Sequence, residues 1–157
     1  MPWNRILIAY DDSDLARKAL DYVILMFSGC AGAEVILAHI HERVPDHQLD
    51  GQSSPFVKEV AHRIGEIEQA REKAAGLLEE ARRKLVEAGF PPDGVRVVSQ
   101  PKKAGVARDL SALIAETGAG TVVAGRQGHS RLKDAIFGST AEALINNLSG
   151  VTVVVVG

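Results

Sequence analysis

The chain has 157 residues, of which 46% are hydrophobic and 24% charged, with a formal net charge of −2. That length suits one domain, residues 1–157, able to bury a proper core. The near-neutral charge and 4% aromatic content exclude an extended electrostatic or stacking surface for nucleic acid.

The single cysteine, Cys30, cannot form an internal disulfide, so a reducing, cytoplasmic compartment is expected. No apolar run approaches the length of a membrane span, and the residues before the first strand are too short for a signal peptide.

In chain order, Ile6-Leu7-Ile8-Ala9 is a continuous apolar run, which predicts a strand buried on both faces over Arg5–Tyr10. Asp11-Asp12-Ser13-Asp14 offers N-cap residues. Leu15, Ala19, Tyr22, Val23 and Met26 then follow at helical spacing until Gly29 and Gly32. Val35-Ile36-Leu37-Ala38 predicts a second buried strand within Glu34–His41. Residues 42–55 are polar, with no hydrophobic period, and read as a long loop. A long helix over about Pro55–Ala88 carries Phe56, Val60, Ile64, Ile67, Ala74, Leu78, Ala81 and Leu85 on one face. Gly89 and Pro91-Pro92 end it. Val95–Val98 predicts a third strand. Val106, Leu110, Leu113 and Ile114 mark a third helix, Thr121–Ala124 a fourth strand, and Val151–Val156 the last strand. Such strict alternation implies a parallel, doubly wound α/β sheet with helices on both faces.

The chain is organised around the stretch that follows the fourth strand. Gly125, Gly128 and Gly138 allow close backbone approach and positive φ, and Ser139 with Glu142 three residues on has the spacing of a capping box. Ser139 is therefore the expected N-cap of a fourth helix whose free N–H groups attract an anion. The pattern is neither a P-loop nor the dinucleotide fingerprint, since Gly-Lys-Ser/Thr is absent and the loop comes late in the chain. Two sheet orders fit five such strands, 3-2-1-4-5 and 2-1-3-4-5. In the first, Asp11 lies beside Gly125 across the point where strand order reverses. A carboxylate there suits a ribose hydroxyl or a base amine, so the two features together indicate a nucleotide and not a bare phosphate.

Gly125-x2-Gly128-x9-Gly138-Ser139-Thr140 resembles the nucleotide-binding signature of the universal stress protein family. Ile6–Ser13 resembles the family's first strand and turn, and Val35–Ile40 its second strand. The resemblance spans essentially the whole chain. It implies a Rossmann-like five-stranded parallel sheet of order 3-2-1-4-5, ATP binding and a homodimer. Mg²⁺ is expected to be held by the phosphates, and Val151–Val156, an edge strand of nearly unbroken valine in that order with no lysine or proline to protect it, is the expected dimer contact. By the same resemblance Ala9, Tyr10 and Asp11 line the adenine and ribose end, and Ile40 lies against the base. Ala124, Gly125, Arg126, Gln127 and Gly128 follow the ribose and first phosphates, and Gly138, Ser139 and Thr140 hold the outer phosphates. Two departures stand out: Asp12 where the family often has glycine, and Val151-Thr152 where a proline commonly precedes the last strand.

No catalytic set is visible. Gly-x-Ser-x-Gly is absent, and no metal-spaced pair of the His-Glu-x-x-His type occurs among His39, His41, His47, His62 and His129. At most slow ATP hydrolysis is expected, since phosphoryl transfer needs metal-holding carboxylates and a group to position the nucleophile. The function expected is an ATP-binding regulatory or stress-response protein. Its alternatives are a dimeric scaffold with an unoccupied pocket and a receiver-like phosphoacceptor domain. The last is disfavoured by Val98-Ser99-Gln100 at the end of strand 3, which has no phosphoacceptor aspartate.

Overall fold

The computed structural model describes residues 2–45, 55–127 and 138–157. The elements are β1 (Arg5–Ala9), α1 (Asp14–Phe27), β2 (Glu34–His41), α2 (Pro55–Glu87), β3 (Val95–Pro101), α3 (Val106–Thr117), β4 (Thr121–Gly125), α4 (Ser139–Asn147) and β5 (Thr152–Val156). A single 3₁₀ turn, Pro92–Gly94, follows Pro91 and leads into β3. All strand pairings are parallel, and the sheet order is β3-β2-β1-β4-β5, the first of the two orders that the alternation permits.

The winding follows from chirality. The chain steps outward from β1 to β2 to β3, then returns across the sheet to β4 and on to β5. Right-handed crossovers place helices on opposite faces for opposite directions of travel. Accordingly α1 and α2 cover one face, and α3 and α4 the other. Period-two alternation divides each apolar strand between the two layers. Ile6, Ile8, Val35, Leu37 and Val123 pack with Ala16, Leu20 and Val23 of α1 and Leu78, Ala81 and Leu85 of α2. Leu7, Ile36 and Val122 pack with Leu110, Leu113 and Ile114 of α3 and Leu144 of α4. Each fully buried Leu or Ile of this kind contributes about 1.5–3 kcal/mol relative to exposure.

Two helical faces differ from the pattern expected. On α1, Ala16 and Leu20 are buried, whereas Met26 is 54% exposed. On α2, only Leu78, Ala81 and Leu85 are buried, and Phe56 at the far end is 67% exposed. The helix is far longer than the strands it crosses, so its first turns extend past the sheet and their apolar face meets no core among the described residues.

Candidate functional site

The three central strands taper in the same way. β1 reads Ile6-Leu7-Ile8-Ala9, β2 reads Val35-Ile36-Leu37-Ala38, and β4 reads Val122-Val123-Ala124-Gly125. Bulky residues fill the middle of the sheet; alanine or glycine stands at the carboxyl ends of β1 and β4, and Ala38 lies level with Ala9 in β2, which runs on to His41. At these ends the helices also diverge, because α1 leaves β1 toward one face and α4 follows β4 on the other. Small tips beneath diverging helices leave a hollow at the switch point. It is a cavity of about 770 Å³, within the range of ligand pockets. Ala9, Ala38 and Ala124 form its floor, the start of α3 (Gly105–Leu110) one wall, and the start of α4 the other.

Of the residues expected at the site, Ala9, Tyr10, Asp11, Ile40, Ala124, Gly125, Arg126, Gln127, Gly138, Ser139 and Thr140 all line this cavity. Gly128 lies outside the described residues. Asp11 is half-buried, and its carboxylate accepts the Ser13 N–H at 2.9 Å, which fixes the side chain over the end of β1. Ser13 in turn caps α1, its Oγ accepting the Ala16 N–H at 3.2 Å. The neighbouring Asp12 turns away, to Lys73 of α2 at 3.3 Å, and is not part of the cavity lining. Its charge therefore does not oppose an anionic ligand. The Tyr10 ring is buried in the α1/α2 core, and burial raises its pKa above the ordinary phenol value. His39 lies 2.9 Å from the Tyr10 carbonyl through Nδ1. Because a carbonyl only accepts, Nδ1 carries the proton.

The start of α4 departs from the expected capping box. Gly138 is the N-cap, with φ −68° and ψ 158°, and no side chain caps the helix. Ser139 is the first helical residue. The N-cap residue must be extended, and here Gly138 holds that place because its N–H donates to the Arg126 carbonyl at 2.6 Å, closing the loop onto the end of β4. The Ser139 hydroxyl is thereby left at the cavity wall. The first-turn N–H groups of the helix lack intrahelical acceptors and supply a locus for negative charge.

Gly125 and Gly138 do not adopt positive φ. Gly125 is required for a different reason: a Cβ there would stand 2.7 Å from Leu15 Cβ. The end of β4 thus touches the first turn of α1 directly.

Asp109, in the first turn of α3, is a feature that the sequence reading missed. It is only 6% exposed, and its carboxylate accepts the N–H groups of Lys103 at 2.7 Å and Ala104 at 3.1 Å. The Lys103 N–H bond is the chief cause that holds its pKa below the ordinary carboxylate value, against the opposing effect of desolvation. The bonds fold the β3–α3 loop into the cavity wall through Gly105, whose φ of +121° is strained for any other residue. At the cavity rim, among the described residues, Lys102, Arg108 and Arg126 stand against the carboxylates Asp11 and Glu42.

Residues 2–157 match the universal stress protein family. The chain belongs to this family. It is 26% identical over 155 residues to universal stress protein YxiE of Bacillus subtilis, covering 98% of this chain and 99% of that protein. Solved structures share the fold at lower identity. Hypothetical protein MJ0577 is 22% identical with a TM-score of 0.72, over 98% of this chain and 96% of that one. UspA of Lactobacillus plantarum is 13% identical with a TM-score of 0.76, over 100% and 99%. A universal stress protein in complex with cAMP is 18% identical with a TM-score of 0.58, over 97% and 95%. No helix among the described residues is long and apolar enough to cross a membrane.

Proposed function

We propose that this universal stress protein binds ATP in the switch-point cavity and acts as a nucleotide-dependent regulatory protein of the stress response, without dedicated catalytic turnover. The observation that carries the reading is the convergence of Asp11, the alanine-floored hollow and the open start of α4 on one cavity of nucleotide-compatible size. In this reading Asp11 accepts from the ribose hydroxyls and Ile40 packs on the base. Ala124, Gly125, Arg126, Gln127 and Gly128 follow the sugar and first phosphates. Gly138, Ser139 and Thr140 offer helix N–H groups and hydroxyls to the outer phosphates, where Arg126 and Arg108 add positive charge. The cAMP complex of a relative with the same fold supports a purine nucleotide as the ligand class.

Mg²⁺ would arrive with the phosphates, since no group of three His, Cys, Asp or Glu suited to a metal occurs among the described residues. The same shortage of metal-holding carboxylates keeps turnover well below the roughly 10 s⁻¹ of a dedicated enzyme.

We also propose a homodimer. β5 is an edge strand whose valines, Val153–Val156, are only half-buried, with no lysine or proline to protect it. The helices that pack on it carry Leu25 at 80%, Met26 at 54% and Ile145 at 44% exposure.

Calorimetry and thermal melting with millimolar ATP and Mg²⁺ test the ligand. Binding in the micromolar range or tighter, about −8 kcal/mol, is expected. The absence of both heat and a melting shift would refute the reading and leave a scaffold with an unoccupied pocket.

A further inference from the structure

The strand ends run β3, β2, β1, β4 across the cavity, so it has two poles. The start of α4 lies at one. At the other, just beyond β2 and β3, are Glu42 and Lys102. The two strands stay in register to the end: His41 pairs with Pro101, and the Lys102 N–H donates to the His41 carbonyl at 2.7 Å. That register sets the next side chains opposite each other, with Lys102 Nζ 2.6 Å from Glu42 Oε1. Both residues line the cavity.

The Lys102 side chain is 38% exposed and that of Glu42 60%, so the pair adds little to stability and opens readily. It also keeps unused capacity. The ammonium carries three N–H donors, and the carboxylate has a second oxygen beyond the one that meets lysine. At about 4.8 Å per strand, this pole stands roughly 10–14 Å from the end of β4. A nucleotide with its sugar above β1 and its phosphates at α4 presents the outer edge of its base there.

We propose that the Glu42–Lys102 pair reads this edge and selects a base bearing an exocyclic amine over one bearing an oxo group at the same position. The proposal rests on the nucleotide reading above. An amine donates to the carboxylate. An oxo group meets that carboxylate as acceptor against acceptor, and its one partner in the pair is a spare N–H of an ammonium whose charge Glu42 already holds. The two partners therefore act in opposite senses: Glu42 favours the amine, and Lys102 favours the oxo group.

The test compares calorimetric affinities for ATP and inosine triphosphate, which differ in this amine-for-oxo exchange and in the N1–H that accompanies the oxo form, in the parent, Glu42→Gln and Lys102→Met proteins. The parent should favour ATP by about three- to tenfold, the scale of one charge-assisted hydrogen bond at a partly exposed site. Glu42→Gln should bring the ratio to within about twofold of unity, because its amide serves either edge and the lysine is released. Lys102→Met should preserve or widen the ratio. Melting temperatures near the parent's establish that both variants are folded. A ratio identical in all three proteins, or moved the same way by both substitutions, overturns the proposal while leaving nucleotide binding intact. A parent protein that binds neither triphosphate refutes the nucleotide reading itself, and this proposal with it.

Discussion

Replacing Gly125 with alanine tests whether the end of β4 is held against α1 by contact or merely kept bare for a ligand. The added Cβ would lie 2.7 Å from Leu15 Cβ and 3.3 Å from the Leu15 carbonyl carbon. Neither atom is the far end of a flexible side chain, so the first turn of α1 must shift. Forced overpacking of this kind costs about 1–3 kcal/mol. For a chain of this length each kcal/mol lowers Tm by about 2–4 °C, which gives a drop of about 2–12 °C. The shift also reaches the ligand, because α1 begins at Asp14, three residues after Asp11. ATP affinity should therefore fall in parallel. The double variant Leu15→Gly with Gly125→Ala removes the clashing carbon, and so should be less destabilised than the sum of its single changes. Thermal and urea denaturation of the four proteins measure this coupling. If Gly125→Ala melts within 1 °C of the parent, or the double variant is simply additive, the contact does not constrain the site.

Ser139→Ala should leave stability within about 0.5 kcal/mol, since no cap bond is lost, yet weaken ATP binding. Equal losses in melting temperature and affinity would refute that separation. Ser13→Ala removes a real cap and should cost about 1 kcal/mol in urea titrations. The lowered pKa of Asp109 means that its contribution is present above the ordinary carboxylate value and is lost as pH falls through its folded pKa. Tyr10, with its raised pKa, contributes stability that is present below the ordinary phenol value and lost as pH rises past it. Urea midpoints at acidic and alkaline pH should accordingly fall on both sides, and Asp109→Asn should flatten the acid limb. For the dimer, Val155→Lys is the preferred probe, because Val154 and Val156 pack on the α1/α2 core and Val153 on the other. Sedimentation should shift from about twice the 16.7 kDa chain mass toward the monomer, and an unchanged mass would place the contact elsewhere.

The five strands were legible because runs such as Ile6–Ala9, Val35–Ala38 and Thr121–Ala124 are short, apolar and separated by helical periods, whereas alternation alone allowed two sheet orders and only the family resemblance pointed to 3-2-1-4-5. Burial on both faces leaves such runs few other conformations. Of the residues lining the cavity, Asp11, Gly125, Gly138 and Ser139 were legible because strand ends and the strand-to-helix loop have fixed places in a doubly wound sheet, whereas Ala9, Tyr10, Ile40, Ala124, Gln127 and Thr140 came from the family resemblance. The taper to Ala9, Ala38 and Ala124 was present in the same runs, but its meaning depends on the helices diverging above it. The capping box at Ser139 misled because spacing alone does not say which residue is extended, and the Gly138 bond to the Arg126 carbonyl decides that. Asp109 was hidden among first-turn helix residues. Its role depends on a loop that turns back to its carboxylate, and the nearest sequence signal was Gly105 four residues before it.

The long helix α2 has a consequence for how this protein can vary. It has 33 residues, a length of about 50 Å at 1.5 Å per residue. No helix residue before Leu78 is buried, and support there comes from exposed ion pairs, such as His62 with Glu66 within the helix and Lys73 with Asp12 after β1. Isolated helix of this kind is marginal, so amide protection should decay from Leu78 toward Pro55, independently of the sheet. Whole turns can be gained or lost in that arm without altering a single strand register. The fold thereby joins a sheet of fixed geometry to an appendage whose reach is free to drift, and relatives can diverge in that arm while the switch-point cavity keeps its shape.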